Sequence, residues 1–374
     1  MRLLHLSDLH LGKRAYEYSL IEDQRYALEQ LARLARRENV DAVLIAGDLY
    51  DKSIPPVEAV NLLDWFLSEL SGLPVLIVSG NHDSPERLAF CHALLAGGGV
   101  HVSPVFDGAV ERVTLTDEHG AVDCWLLPFV KPAPVRAAYQ DDSLTDYTQA
   151  LAAVVAHMPI DRTRRNVLLC HQFLTGAARS ESEEIHVGGL DNVDLAVFAD
   201  FDYVAAGHLH RPQTLSNARY CGAPLKYDFS EAGVERTATI VELGAKGDVA
   251  MRILPLPTLR DMRNLRGAYD SLTLRASYEG TPTDDYIHVT LTDEQDVPDA
   301  LGKLRAIYPR LLCLDYDNRR TRESRAIAPI SAEERQSPPE LIEGFFELRN
   351  NRPMTAEQRA YTPALAEKIW EARA

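Results

Sequence analysis

Residues 3–10 read Leu3-Leu4-His5-Leu6-Ser7-Asp8-Leu9-His10, an apolar run that halts on an acid and a histidine. The run predicts a buried strand. Asp8 and His10 follow at its end, two residues apart, so both side chains can leave the backbone on one side and grip one ion. The same pattern recurs along the chain. Asp41 to Ala46 (DAVLIA) predicts a second strand, after which Gly47 turns the backbone and Asp48 projects from the carboxyl end. Leu73 to Ser79 (LPVLIVS) predicts a third, ending in Gly80 and Asn81. Val167, Leu168 and Leu169 form a short fourth run, with Cys170-His171 directly behind. Asp202 to Ala206 (DYVAA) is the fifth, and it leads through Gly207 to His208 and His210.

In open α/β sheets, ligands collect outside the carboxyl ends of strands. Three oxygen donors (Asp8, Asp48, Asn81) and four imidazoles (His10, His171, His208, His210) at such ends are the inventory of a two-metal centre. There a bridging carboxylate holds two divalent ions ~3.5–4 Å apart and clamps a phosphate ester for in-line attack. A lone histidine in a strand is ordinarily a packed or surface side chain; the joint order of five fragments carries the metal reading. The histidines outside this pattern (His5, His92, His101, His119, His157, His186 and His288) read as structural or surface residues. Mixed nitrogen and oxygen ligands fit manganese, iron or zinc better than magnesium. His82 follows Asn81, is not needed in either metal shell, and is placed to protonate a leaving oxygen as general acid. Asp51, three residues beyond Asp48, is a candidate to orient that imidazole, and Asp83 a candidate for a local turn role.

The bulk numbers set limits. A chain of 374 residues can bury a large core and hold two domains with an appendage. Hydrophobic content of 46% and charged content of 25% are those of an ordinary globular protein. No apolar stretch reaches the ~18–20 residues of a membrane helix, and Ser7, Asp8 and His10 interrupt any signal-peptide core. Five scattered cysteines without a CxxC pair read as buried thiols, which implies a cytoplasmic setting. The net charge of −16 argues against indiscriminate binding of nucleic acid. It leaves room for a nuclease, since part of that charge would face metal; affinity for DNA would then rest on local basic patches or a partner.

Strand-like and helix-like runs alternate over the first ~255 residues, the pattern of an α/β fold. Leu20 to Arg37 and Glu58 to Leu70 predict amphipathic helices. Arg219 to Gly222, Thr237 to Leu243 and Val249 to Leu254 read as later strands of a second sheet layer, giving a two-sheet sandwich flanked by helices. Pro255-Leu256-Pro257 marks a boundary, followed by a basic linker with Arg260, Arg263 and Arg266. Asp285 to Thr292, Val297 to Ile307 and Leu311 to Tyr316 then read strand, helix, strand, a small α+β module. Arg319, Arg320, Arg322 and Arg325 form a second basic connector, either a solvated linker or a phosphate contact. In the tail, Leu341, Phe345 and Leu348 make an apolar stripe. Thr355 with Gln358 predicts a capping box, and Thr362-Pro363 a second helix start. Leu365, Ile369 and Trp370 follow. These helices either fold back on the body or dock a partner.

The series DLH, GDLYD, GNHD, HQ and GHLH resembles the calcineurin-like metallophosphoesterase superfamily. GHLHRPQ at Gly207 to Gln213 and YCGAPLKYDFSEAG at Tyr220 to Gly233 narrow the likeness to its nuclease branch, whose members work with an SbcC-type ATPase. The likeness covers nearly the whole chain and is most specific in the first domain. It implies that residues 1–258 form a nuclease domain, 268–320 a capping domain, and 338–374 helices that dock the ATPase. It further implies that Asp8, His10, Asp48 and His210 hold the first metal, and that Asp48 (bridging), Asn81, His171 and His208 hold the second. His82 matches the catalytic histidine, while Asp51 occupies a position that varies among relatives. The implied activity is manganese-dependent exonuclease action on double-stranded DNA ends and endonuclease action on single-stranded or hairpin DNA. The implied setting is DNA repair, recombination and replication, as a homodimer within a heterotetramer. By the same analogy, helices 20–37 and 58–70 are candidates for the symmetric contact.

Two other readings compete. A phosphoprotein phosphatase or cyclic-nucleotide phosphodiesterase would keep the metals and change the substrate. Phosphatases of the superfamily carry GDxxDRG and GNHE, whereas Lys52-Ser53 and Asp83 stand here instead. A non-catalytic DNA-end scaffold would not need an intact ligand set.

Overall fold

The computed structural model describes residues 1–178 and 192–319, together with 321, 343, 346, 353–355, 357–359 and 361. The chain divides into two compact units, Met1–Tyr316 and Asp317–Ala374.

Two six-stranded sheets face each other in the first unit. One runs Val249–Pro255, Thr237–Leu243, Arg2–Leu6, Ala42–Ala46, Val75–Val78, Val100–Val102. The last four of these are parallel, and the first two are antiparallel additions beside Arg2–Leu6. The other sheet runs Gln213–Leu215, Ala218–Tyr220, Tyr203–Gly207, Arg165–His171, Gly120–Leu127, Glu111–Asp117. Its four inner strands are parallel and its two outer ones antiparallel.

The inner strands are apolar almost throughout because both of their faces are covered. Leu3, Leu44, Leu76 and Val78 meet Val122, Leu126, Val167 and Leu169 between the sheets. Outside the first sheet, the Ile21–Arg37 helix buries Ala27, Leu28, Leu31, Ala32 and Ala35 along one face, beside Leu62, Leu63 and Phe66 of the Val57–Glu69 helix. Each buried leucine there contributes roughly 1.5–3 kcal/mol. Glu22 and Asp23 in the first turn of the longer helix, and Arg36 and Arg37 in its last, complement its dipole. The Tyr147–His157 helix covers the outside of the second sheet through Ala150, Leu151 and Val154. Its start is fixed by Asp146, whose carboxylate accepts from Gln149 N at 2.8 Å.

Two expectations change. Thr237–Leu243 and Val249–Pro255 belong to the first sheet, not the second, because Arg2–Leu6 offers them its open edge. The segment with Arg263 and Arg266 is not a linker but a strand, Met262–Gly267, paired in parallel with Tyr286–Leu291. Local basic composition hid it. Arg263 is paired with Asp285 at 2.7 Å, and Arg260 reaches Asp23 and Glu22 at 2.9 Å each. With Leu311–Tyr316 these strands form a parallel three-stranded sheet whose connections carry the Tyr269–Thr273, Arg275–Tyr278 and Ala300–Arg305 helices.

In the second unit, the Thr355 hydroxyl accepts from Gln358 N at 3.2 Å, and the Gln358 side chain accepts from Thr355 N at 3.0 Å. That is the reciprocal pair of a capping box. Arg320, Arg322 and Arg325 lie outside the described residues, as do Leu341, Phe345, Leu348, Thr362, Pro363, Leu365, Ile369 and Trp370.

Candidate metal centre

Five parallel strands, Arg2–Leu6, Ala42–Ala46 and Val75–Val78 in one sheet and Arg165–His171 and Tyr203–Gly207 in the other, end at one edge of the sandwich. Their carboxyl ends carry all seven expected donors.

The local geometry departs from a simple strand alternation. Asp8 and His10 lie beyond the strand, with φ of 54° and 43°, and Asp48 and His208 are also left-handed, at 52° and 108°. Non-glycine residues in that region cost of order 1–3 kcal/mol each. The two loops hold one another there: Asp8 N donates to Gly47 O, His10 N to Asp48 O and Leu11 N to Leu49 O, at 2.9–3.0 Å. Gly47 has φ of 87°, and a Cβ on it would overlap the His171 ring at Nδ1. At Gly207 a Cβ would overlap Ala46 O of the opposite sheet. Glycine beside a ligand therefore reflects how closely the two sheet ends approach.

The donors converge. His10 Nε2 lies 3.1 Å from His210 Nε2. Asp48 Oδ2 stands between two imidazoles, 3.6 Å from His10 Nε2 and 3.3 Å from His171 Nε2. Asn81 Oδ1 lies 3.0 Å from His171 Nε2 and 3.1 Å from His208 Nδ1. Donor atoms of Asp8, His10 and His210 lie within 4.8 Å of one another, as do those of Asp8, Asp48 and His171. Asp8, His10, Asp48, His171 and His210 are buried.

Burial pushes the Asp8 carboxyl above its ordinary range, with Asp48 contributing in the same direction. Burial also opposes charge on Asp48, but the imidazoles around it, His171 foremost with His10 and His82, together hold that carboxyl far below its usual range. On His171 burial likewise acts against the charge, and Asp48 lifts the imidazole to about 9. Burial keeps His10 well below its usual range, hence neutral. Buried carboxylates packed against imidazole nitrogens, and one amide oxygen set against two imidazoles, suit a pair of divalent cations.

The support around these donors was largely silent in the sequence. A carbonyl only accepts, so His171 Nδ1 donates to Ala46 O (2.8 Å) and leaves Nε2 for a ligand role. Glu231 does the same for His210, with Oε1 3.1 Å from Nδ1. Arg236 donates to the other oxygen of Glu231 at 2.9 Å and to His210 O at 2.8 Å. Gln24 holds the loop by donating to His10 O at 2.7 Å. Glu231, Arg236 and Gln24 follow no spacing rule, and only the SEAG wording around Glu231 hinted at them.

His82 sits beside the donors. Its backbone N donates to Asp48 Oδ1 at 2.9 Å and its ring meets that of His10 edge-on, centroids 4.8 Å apart. His82 Nδ1 donates to Asp51 at 3.0 Å, but to the main-chain oxygen. The Asp51 carboxylate is instead paired with Lys13 Nζ at 2.7 Å and stands 3.8 Å from His10 Nδ1. Asp83 takes the turn role: it accepts from Leu49 N, Tyr50 N and Gly80 N at 2.9–3.1 Å.

Among the described residues no helix is long and apolar enough to cross a membrane. All five cysteines are free thiols, but only Cys124, Cys170 and Cys221 are buried as expected; Cys91 is exposed and Cys313 half-buried.

Comparison with known proteins gives the family. Residues 1–212 match the calcineurin-like phosphoesterase family, and residues 258–350 match a family described as the type 5 capsule protein repressor C-terminal domain. The SbcD component of the SbcCD nuclease of Staphylococcus epidermidis is 31% identical over 84% of this chain and 85% of its own. That of Staphylococcus saprophyticus is 31% identical over 84% of each. Among solved structures, a dimetal phosphatase from Danio rerio aligns over 69% of this chain and 96% of its own, with 14% identity and a TM-score of 0.44. By its matching profile and by these relatives, the chain belongs to the calcineurin-like phosphoesterase family, in the branch of the SbcD nucleases.

Proposed function

We propose that this chain is a metal-dependent DNA nuclease of the SbcCD type, acting as an exonuclease on double-stranded ends and an endonuclease on single-stranded or hairpin DNA. The observation that carries the reading is the convergence of seven nitrogen and oxygen donors at one sandwich edge, in a chain whose relatives are named nucleases. Asp8, His10, Asp48 and His210 would hold one ion, and Asp48, Asn81, His171 and His208 the other. Two divalent ions held there, manganese on this reading, would activate a water near neutral pH and offset charge on the phosphate oxygens.

The chain's own residues do the rest. Asp48 spans the two imidazole groups, which suits a bridge. His82, with Nδ1 committed to Asp51 O, keeps Nε2 to protonate the departing oxygen. Asp51 with Lys13 steadies the wall beside His10, and Asp83 keeps the loops carrying Asp48 and Asn81 in register.

The partner side of the proposal has three parts: DNA, a second copy of the chain, and an SbcC-type ATPase docked by the tail beyond Pro339. Exposed Ile54, Val57, Val60, Phe90, Leu94 and Leu95 supply an apolar surface that suits the second copy. The Thr355–Gln358 box supports a helix start in the tail, and short helices need packing to persist.

Linear and hairpin DNA, incubated with Mn²⁺ beside a phosphopeptide, tests the reading. Cleavage of both DNAs with an inert phosphopeptide is expected. Phosphopeptide turnover without DNA cleavage overturns it in favour of a phosphatase.

A further inference from the structure

The parallel three-stranded sheet uses its two faces differently. Ile287, Val289 and Leu291 pack with Ala300, Leu304 and Leu311. Tyr286 turns the other way, clustering with Met262, Leu312 and Cys313 against Leu225, Tyr227 and Phe229 of the sandwich. His288 follows Tyr286 by two residues and shares its face.

Between Ile287 and His288 the pairing register shifts. Ile287 opposes Leu311, but His288 opposes Cys313 and Thr290 opposes Asp315. A regular ladder would set His288 against Leu312 and turn Cys313 and Asp315 to the other face. A bulge of this kind re-aims side chains, and here it assembles a cluster. His288 Nε2 lies 2.8 Å from Asp315 Oδ2, and Cys313 Sγ lies 3.6 Å from the same oxygen. The three donor atoms lie within 4.8 Å of one another. The His288 ring meets that of Phe229 with centroids 5.3 Å apart.

An imidazole, a thiol and a carboxylate at this spacing form a zinc-type donor set, three protein ligands with one position open. The sulfur favours a borderline-soft ion over magnesium or calcium. None of the three residues belongs to the paired-ion centre. We propose that His288, Cys313 and Asp315 bind a third divalent cation of the zinc class, at the seam between the parallel sheet and the sandwich. The ion cross-links two strands against Phe229, which opens the Phe229–Glu231 turn. That turn carries Glu231, the support of His210, so the third ion stiffens one wall of the catalytic edge.

Cobalt(II) tests this, because a thiolate bound to it gives a near-ultraviolet charge-transfer band that oxygen and nitrogen donors do not. The full chain, loaded first with Mn²⁺, is titrated with Co²⁺. One further equivalent with that band is expected, absent in Cys313→Ser and at least ~10-fold weaker in His288→Gln. Cys91→Ser, which removes the exposed thiol, should leave it intact. Circular dichroism confirms that each variant is folded. No band in the unmodified chain, a band that survives Cys313→Ser, or His288→Gln binding as tightly as the parent overturns the proposal.

Discussion

His10 Nε2 and His210 Nε2 face each other at 3.1 Å across 200 residues of sequence. Each ring reaches that point through a different sheet: His10 follows the Arg2–Leu6 strand and His210 follows Tyr203–Gly207. Glu231 takes the Nδ1 proton of His210 as a hydrogen bond, and burial keeps His10 neutral. Two nitrogen donors so placed could grip one ion, with a separation set by the distance between the two sheet ends, which also approach closely at Gly47 and Gly207.

Asp48→Ala is expected to remove both ions, because Asp48 Oδ2 stands 3.6 Å from His10 Nε2 and 3.3 Å from His171 Nε2. Metal content after gel filtration, together with calorimetry, reads this directly. Two ions still binding with unchanged affinity would make the bridging role wrong.

His82→Ala should leave metal binding nearly intact and lower turnover roughly 10²–10⁴-fold. A substrate whose leaving group needs no protonation should be spared most of that loss. If bound metal falls in step with the rate, His82 is a ligand rather than an acid.

Glu231→Gln should weaken binding of the ion at His210 by roughly 10-fold or more while the fold persists, since a carboxylate behind a ligating imidazole raises its basicity and fixes its tautomer. The readout is metal affinity by competition with a chelator dye. Unchanged affinity would reduce Glu231 to a packing role with Arg236.

Gly207→Ala should destabilise the chain by at least about 1–3 kcal/mol, because the added methyl meets a main-chain oxygen of the opposite sheet that has no room to retreat. Denaturant midpoints at fixed metal concentration measure it. A stability equal to the parent would mean that the sheets part easily at this edge.

Asp117 predicts a pH effect away from the metals. The Arg165 guanidinium holds its carboxyl well below the ordinary value of 3.8. A depressed carboxyl stabilises the fold above the unfolded value and loses that contribution as pH falls below it. Asp117→Asn should therefore cost roughly 1–3 kcal/mol near neutrality and progressively less in acid, so the two unfolding curves converge toward pH 2. Parallel curves at every pH would remove the pair from the acid limb.

The chain order of Asp8, His10, Asp48, Asn81, His171, His208 and His210 was legible because each closes an apolar run long enough to be a buried strand. Hydrophobic burial is a local property of such runs, so the five strands and the two flanking helices could be read from neighbouring residues. The placement of Thr237–Leu243 could not. Its alternation fits either sheet, and only the open edge beside Arg2–Leu6 decides between them. Met262–Gly267 was hidden in the same way: its arginines look like a solvated linker until Asp285 appears opposite Arg263.

The choice of candidate donors was thus written in the sequence, while their geometry belonged to the tertiary structure. Left-handed Asp8, His10, Asp48 and His208 are held by hydrogen bonds between loops far apart in the chain, and no spacing rule encodes such bonds. Glu231 behind His210, the main-chain oxygen of Asp51 behind His82, and the bulge that sets His288 against Cys313 arise the same way. Burial is signalled residue by residue; the partner of a buried polar group is decided only when distant segments pack.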